Sequence, residues 1–475
     1  MSGRKVILYE LNEVPWAIVD RYIESRPQST LADLLSTGQS LTTVVDDSVP
    51  LQPWRTWPTL HLSLNTADHN SFDLGQDPAT FHGRSIWDAA EDAGLSVGLW
   101  GPLQSWPARR FKNGSFYIPD TFSSDARTYP ESFSRFQAFN LRATRENSFS
   151  ANAPLSATDV ARVGVDLLRQ GLTLRTAATV GRQLVRERRN PKYKGGRSIM
   201  QAPLNFDLYW RQHRRYEPDL SIFFTNHVAG MMHRFWGDAD AEYARTHSYP
   251  ADRIFGEFID AAMDVADRQL ATLRRYVSSR SDTMLLVAAS MGQGPIDYRA
   301  VERVFVVEQA DLLIAALGLP TMQVNLAMYP HVVLQLTDEE AAKTAGSVLS
   351  TVTRPNGVAL FGDLRVFGST VSFQVDNFGG AQDGEDTMSF APLPTGSARS
   401  TASLGSLGIT VQERLGGSNT AYHIPQGMAV AWGAGVRTDR SRKEVDLLDV
   451  APSLLVDVLN VPADPSMKGQ PGLFA

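Results

Sequence analysis

Thr56 lies between two prolines in Pro53-Trp54-Arg55-Thr56-Trp57-Pro58, a short segment that sets a hydroxyl, a guanidinium and two indoles beside one another. A threonine hydroxyl has no useful nucleophilicity at neutral pH until a metal or a base lowers its effective pKa. Arg55 could neutralise a phosphoryl oxygen. Trp54 and Trp57 could stack against a base or sugar, although an indole flanked by prolines more often packs. Carboxylates are near in sequence: Glu10 and Glu13 sit beside Asn12, and Asp46 and Asp47 lie upstream of Thr56. A second hydroxyl, Ser290, stands in Ala288-Ala289-Ser290-Met291-Gly292, the Ala-x-Ser-x-Gly form of a nucleophile elbow. Asp376 and His423 follow it in the Ser, Asp, His order of α/β-hydrolases, so these residues alone allow an esterase acting through Ser290.

Groups this far apart in sequence can share a site only if the fold gathers them. Short apolar runs alternate with amphipathic segments, the pattern of an α/β protein whose central sheet is flanked by helices. Strands are expected at residues 5–9, 96–100, 220–224, 283–288 and 428–432, and helices at residues 15–24, 84–93 and 251–277. Pro15 suits a first helical position and Gly94 a stop. Ligands of such sheets bind beyond the carboxyl ends of the strands. Asn12, His227, Ser290 and His423 all follow or adjoin an expected strand, so one shared site is geometrically reasonable. Loops at strand ends also collect polar residues without any function.

Five segments, in order, resemble the alkaline-phosphatase superfamily in its nucleotide pyrophosphatase/phosphodiesterase branch. They are Lys5–Tyr9 running into Leu11-Asn12-Glu13; Pro53 to Pro58; Ser85 to Gly94 with the strand to Trp100; Pro218 to His227 continuing through His233-Arg234-Phe235-Trp236-Gly237; and Tyr422-His423 with Met428 to Val436 and Asp449 to Ser453. The resemblance implies an alkaline-phosphatase-like sheet with Thr56 at the nucleophile. It also implies that the family's first metal site is rewritten here as Asn12, Thr56, Ser290 and Met291. Neither an amide nor a thioether competes well for zinc with thiolate, imidazole or carboxylate, so that site is expected to be lost. The second metal would fall to His227 (or Asn226), His233 and His423, three imidazoles that could hold one zinc and leave a fourth position open. His227 to His233 is two residues longer than the family's pair, and His227 could equally be a buried hydrogen-bonding group at a strand end. A displaced carboxylate such as Glu13 could also take up a ligand's place.

The chain has 475 residues, 43% apolar and 20% charged, enough for a large core and more than one domain. A net charge of −6 gives no nucleic-acid footprint, and the absence of cysteine excludes disulfides, thiolate metal sites and a cysteine nucleophile. No apolar run reaches the ~20 residues of a membrane span, and a cytoplasmic location is the default expectation. Two stretches read as insertions. Residues 125–200 are polar and helical and carry Arg182, Arg186, Arg188, Arg189, Lys192, Lys194 and Arg197: a solvated helix face, or a basic arm that meets a phosphate-rich substrate, a polyanionic lipid surface or another subunit. Residues 295–407 read as an inserted α+β cap domain, ending in a glycine- and serine-rich linker or lid. The core is then 1–124, 201–294 and 408–475.

Taken together, the expected function is a phosphodiesterase- or phosphatase-like hydrolase, or a phosphoryl-type transferase, acting on a small phosphorylated or sulfatase-type substrate. Thr56 would attack, Asn12 and Ser290 would donate hydrogen bonds where the lost metal would have sat, and His227, His233 and His423 would bind one divalent ion, zinc expected, or none. Arg55, Trp54, Trp57, Arg234 and Asn226 would hold the substrate, the arginines replacing the positive charge of a lost dication. The alternatives are a pseudoenzyme that binds a phosphorylated ligand or partner, and the Ser290 esterase.

Overall fold

Eight strands form the central sheet: β1 (Lys5–Leu11), β2 (Gln39–Val44), β3 (Val97–Trp100), β4 (Phe116–Ile118), β5 (Leu220–Thr225), β6 (Thr283–Ala288), β7 (Gln426–Gly433) and β8 (Asp439–Asp446). In the computed structural model, which describes residues 4–148, 164, 166–297, 302–325, 327–328, 331–376, 387–390, 401–414 and 419–474, their order is β8-β2-β7-β6-β1-β5-β3-β4. The pairs β6-β1, β1-β5, β5-β3, β3-β4 and β8-β2 are parallel, and β7 runs antiparallel to both β6 and β2. All the expected core strands are present, most of them a residue or two longer or shorter than the apolar runs suggest.

Alternation along β1 explains why both faces are covered. Ile7, Tyr9 and Leu11 enter a core shared with the helices Trp16–Ser25, Gln201–Tyr216, His227–Ala239 and Phe258–Ser278. Val6 and Leu8 enter the opposite core, with Trp57 and Leu60 of the helix Pro53–Leu62 and with Ile86 and Ala90 of Ile86–Asp92. A strand buried on both faces reads as an unbroken apolar run, which is why β1 and β6 stand out in the sequence. The long expected helix at 251–277 is broken instead: Asp252 caps a short turn, Arg253–Gly256, and the main helix starts at Phe258.

A third core gathers residues from Phe305 to Ile409. Its four-stranded antiparallel sheet comprises Phe361–Phe367, Thr370–Val375, His331–Leu336 and Thr321–Asn325, with the helices Ala310–Leu317 and Glu339–Ser350. Arg365 ties this unit to the main body by hydrogen bonds of 2.9 and 3.1 Å to the Asp73 carboxylate. Of the glycine- and serine-rich linker, 377–386 and 391–400 lie outside the described residues, while Thr387–Ser389 pairs with Thr401–Ser403. In the basic insertion the helix Leu174–Arg189 and a 3-10 stretch, Pro191–Met200, pack on the main body, with Gly195 and Gly196 close against Phe235 and Phe258.

A candidate single-cation site

β1 ends at Leu11, and its ladder runs one residue further, Asn12 N–H donating to Thr225 O at 3.1 Å. Glu13 then takes a left-handed conformation, φ +60°. That conformation costs a non-glycine residue about 1 kcal/mol and is usually kept where the side chain's direction matters. Here it turns the carboxylate into a buried pocket.

Two histidines meet it there. His233 Nε2 is 3.0 Å and His423 Nε2 3.4 Å from Glu13 Oε2. Each ring is fixed through its other nitrogen, His233 Nδ1 donating to Ala421 O at 3.0 Å and His423 Nδ1 to Leu51 O at 2.7 Å. Backbone carbonyls thus orient both rings and leave each Nε2 to hold either a proton or a metal, the usual support of a metal-binding imidazole. The three ligand atoms lie within 4.8 Å of one another. Ligands held ~2.0–2.1 Å from a tetrahedral zinc stand about 3.3 Å apart, so the two N–O separations suit one such ion as well as an ion pair. Burial pushes the Glu13 carboxyl up, but the two histidines outweigh it and hold it well below the usual carboxylate range. Burial likewise pushes His233 down, and Glu13 more than reverses this.

Local structure explains how His233 reaches Glu13. The helix His227–Ala239 kinks at Phe235 (φ −128°, ψ 15°). Gly237 N–H, which would otherwise bond to His233 O, donates to Thr420 Oγ1 at 3.0 Å, and His233 O accepts from Thr420 N at 2.7 Å. The kink therefore stitches the helix to the strand Ala421–Ile424 that carries His423. That strand pairs with Gly292–Pro295, setting His423 opposite Gln293. Gln293 is buried, donates to Glu13 Oε2 and to Ala229 O (3.2 Å), and among the described residues has no partner for its own Oε1. Only glycine fits at Gly292, where a Cβ would run into the Gln426 carbonyl.

His227 does not join the cluster, contrary to the three-imidazole expectation. Its Nδ1 meets Thr225 Oγ1 at 2.8 Å and its Nε2 meets Ala262 O at 3.0 Å, and burial pushes its pKa down to about 4. Six residues advance a helix by roughly 600°, so His227 and His233 cannot face the same way. Glu13 completes the cluster with His233 and His423 instead. Among the other nearby carboxylates, Glu10 is bound to His61 at 2.5 Å, Asp47 accepts from Thr66 N at 3.1 Å, and Asp46 is exposed.

The neutral half of the pocket adjoins this cluster. Thr56 Oγ1 and Ser290 Oγ are 2.7 Å apart, both buried. Pro53 opens the Thr56 helix, and Trp54 O, left without an N–H by Pro58, accepts from Ser71 Oγ at 3.3 Å. Asn12 is spent on the protein itself: Oδ1 accepts from Trp57 Nε1 at 2.7 Å, and Nδ2 donates to Glu13 Oε1 (2.8 Å) and Asn226 Oδ1 (2.6 Å). It is thus a support for Glu13, not a free donor to substrate. Asn226 in turn leaves its own helix without a side-chain cap. Met291 is packed in the apolar core, and among the described residues no ligand set for a second ion lies here.

Several expected substrate contacts are structural instead. Arg55 is buried, donating to Phe72 O (2.8 Å) and Pro50 O (2.9 Å), with Asp73 at 3.8 Å. Trp54 donates to Phe72 O at 3.0 Å, and Trp57 is fully buried, so neither offers a stacking face. Arg234 differs. It bonds to Gly230 O (2.9 Å) and Ser198 Oγ (3.2 Å), and among the described residues no carboxylate pairs with it. Burial alone lowers its pKa. Ser290 is not a nucleophile elbow, because β6 leads into the strand Gly292–Pro295 instead of a helix and Ser290 meets Thr56 instead of an imidazole. Asp376 lies in the third unit, its N–H bonded to Leu360 O. Sequence reasoning passed over Gln293 and Tyr422. The latter is 40% exposed, with its ring 4.3 Å from that of His423, and its adjacency to the histidine was the available signal.

No family model and no curated protein matches the chain. Among solved structures it is similar to a variant of alkaline phosphatase PafA, 12% identical with a TM-score of 0.49, covering 99% of this chain and 98% of that one. It is also similar to murine ectonucleotide pyrophosphatase/phosphodiesterase 5, 12% identical with a TM-score of 0.41, covering 97% and 96%. The human counterpart is 11% identical with a TM-score of 0.40, covering 99% and 97%. Likenesses this distant leave the chemistry to be argued from the chain's own residues, and those residues form one cluster fit for a single cation beside a hydroxyl pair.

Proposed function

We propose that this chain is a hydrolase or transferase of phosphate-type esters, with Thr56 as nucleophile and a single divalent ion, zinc by its donor set, held by Glu13, His233 and His423. The observation that carries the reading is the buried carboxylate with two carbonyl-oriented imidazoles, joined through Asn12 and Trp57 to the helix that bears Thr56. A divalent ion there would supply positive charge for phosphoryl oxygens and lower the pKa of a hydroxyl or water. Ser290 orients the Thr56 hydroxyl at 2.7 Å. Arg234, free of a carboxylate partner among the described residues, is the cation available to a substrate's phosphate oxygen.

One observation favours a second reading, a binding protein for a phosphorylated small molecule: Thr56 is 1% exposed, and its only hydrogen-bonding side chain among the described residues is a neutral hydroxyl. Turnover of a chromogenic phosphodiester separates the two. Thr56→Ala is expected to remove turnover by on the order of 10⁶-fold, whereas Ser290→Ala loses about 100- to 1000-fold. Equal activity of Thr56→Ala and wild type would overturn the nucleophile assignment. Phosphate-ester binding without turnover in the wild type would establish the binding reading.

A further inference from the structure

The helix Leu174–Arg189 contributes no residue to the candidate site, yet its outer face is unusual for a helix against water. The inner face is well held. Thr173 caps it and bonds to Asp207 at 2.8 Å, Gln183 donates to Tyr193 O at 2.8 Å, and Glu187, its only acid, is buried and paired with Arg197. On the outer face Leu174 is 80% exposed, Leu184 51% and Val185 49%, with Leu168 46% exposed just upstream. Leu174, Ala178, Gly181 and Val185 recur at i, i+4, i+7 and i+11 and so form one stripe. Arg175, Arg182, Arg186 and Arg189, at i, i+7, i+11 and i+14, form a row beside it, and among the described residues none of the four is in an ion pair.

The three classes of partner make different demands on such a face. Nucleic acid uses the cation row but gains nothing from exposed leucines. A second copy in a two-fold contact would set this arginine row against itself, with no free acid on the helix to neutralise it. An anionic bilayer satisfies both rows at once, taking the apolar stripe into the headgroup-acyl boundary and the guanidinium row onto lipid phosphates. The chain as a whole is acidic, net −6, so such a surface would attract the molecule by this face in particular.

We propose that the helix Leu174–Arg189 docks the protein on an anionic lipid surface, lying in the interface without crossing it. No helix among the described residues is long and apolar enough to cross a membrane. Co-sedimentation of the full chain with phosphatidylcholine vesicles, with and without phosphatidylglycerol, tests it. The wild type is expected to sediment with the anionic vesicles only. Arg175→Gln/Arg182→Gln/Arg189→Gln should weaken partitioning by on the order of 100-fold. Leu174→Gln/Val185→Gln should abolish it while circular dichroism and phosphodiester turnover stay unchanged. Arg186 is left in place because its guanidinium lies over the Tyr193 ring at 5.6 Å. Absence of sedimentation, or an apolar variant that binds like the wild type, overturns the proposal. So does a wild-type dimer whose dissociation is the sole effect of the apolar substitutions.

Discussion

The two halves of the pocket are built on opposite principles. On one side Glu13, His233 and His423 converge, each aimed by the backbone, and they leave a charge to be satisfied by an ion or by protons. On the other, Asn12, Thr56, Ser290 and Met291 are neutral, and their polar atoms bond to one another and to Trp57 and Asn226. The difference teaches that buried polar groups can be satisfied among themselves on one side of a site while the other side keeps a set of atoms that could hold an ion. Asn12 links the halves, because the amide that seals the neutral side also steadies Glu13 on the charged side.

The largest expected effect falls on the charged half. A structural zinc site is worth ~10–16 kcal/mol, so each ligand carries about 3 kcal/mol or more, and His423→Ala should weaken metal binding by on the order of 100-fold or more. Competition with a chromogenic chelator checks this, and unchanged affinity would remove His423 from the site. Asn12→Asp tests the neutral half. It replaces donors to Glu13 and Asn226 with oxygen facing oxygen, which should cost on the order of 3 kcal/mol of stability by urea unfolding. Full rescue of that loss by added zinc would show instead that a second ion position is readily rebuilt.

Gln293→Leu removes a support and no ligand, so its effect should be smaller, about 10- to 100-fold in metal affinity. His227→Gln should leave metal binding untouched and change only the pH dependence of stability. His227 is held neutral, with its pKa down at about 4, whereas in the unfolded chain it takes up a proton below pH ~6.5. The unfolded state therefore binds more protons between about pH 6.5 and 4, and stability falls as pH falls through that window by about 1 kcal/mol per unit for this group. The variant should show a correspondingly shallower fall in urea midpoint. A wild-type slope would contradict the burial argument.

Much of the frame was legible in the sequence because β1, β5 and β6 are buried on both faces and so read as continuous apolar runs. The neutral character of this side was legible too, since Asn12, Ser290 and Met291 are poor metal ligands wherever they point. The third member of the cluster was harder to read. Glu13 reaches the pocket through a positive φ that no propensity of glutamate predicts, and it was open only as one of several nearby carboxylates. His227 misled because a histidine at a strand end looks the same whether it faces the site or, as here, the Ala262 carbonyl on the helix Phe258–Ser278. Arg55 misled similarly, for its guanidinium is used up on Phe72 and Pro50 carbonyls that lie on a neighbouring loop and on its own chain just upstream.

The most direct test is the metal content of the purified chain beside that of Glu13→Gln, both dialysed against excess zinc and then against buffer. One equivalent in the wild type and none in the variant is the expected result. Two equivalents in the wild type, or an undiminished equivalent in Glu13→Gln, would contradict a single cation held by Glu13, His233 and His423.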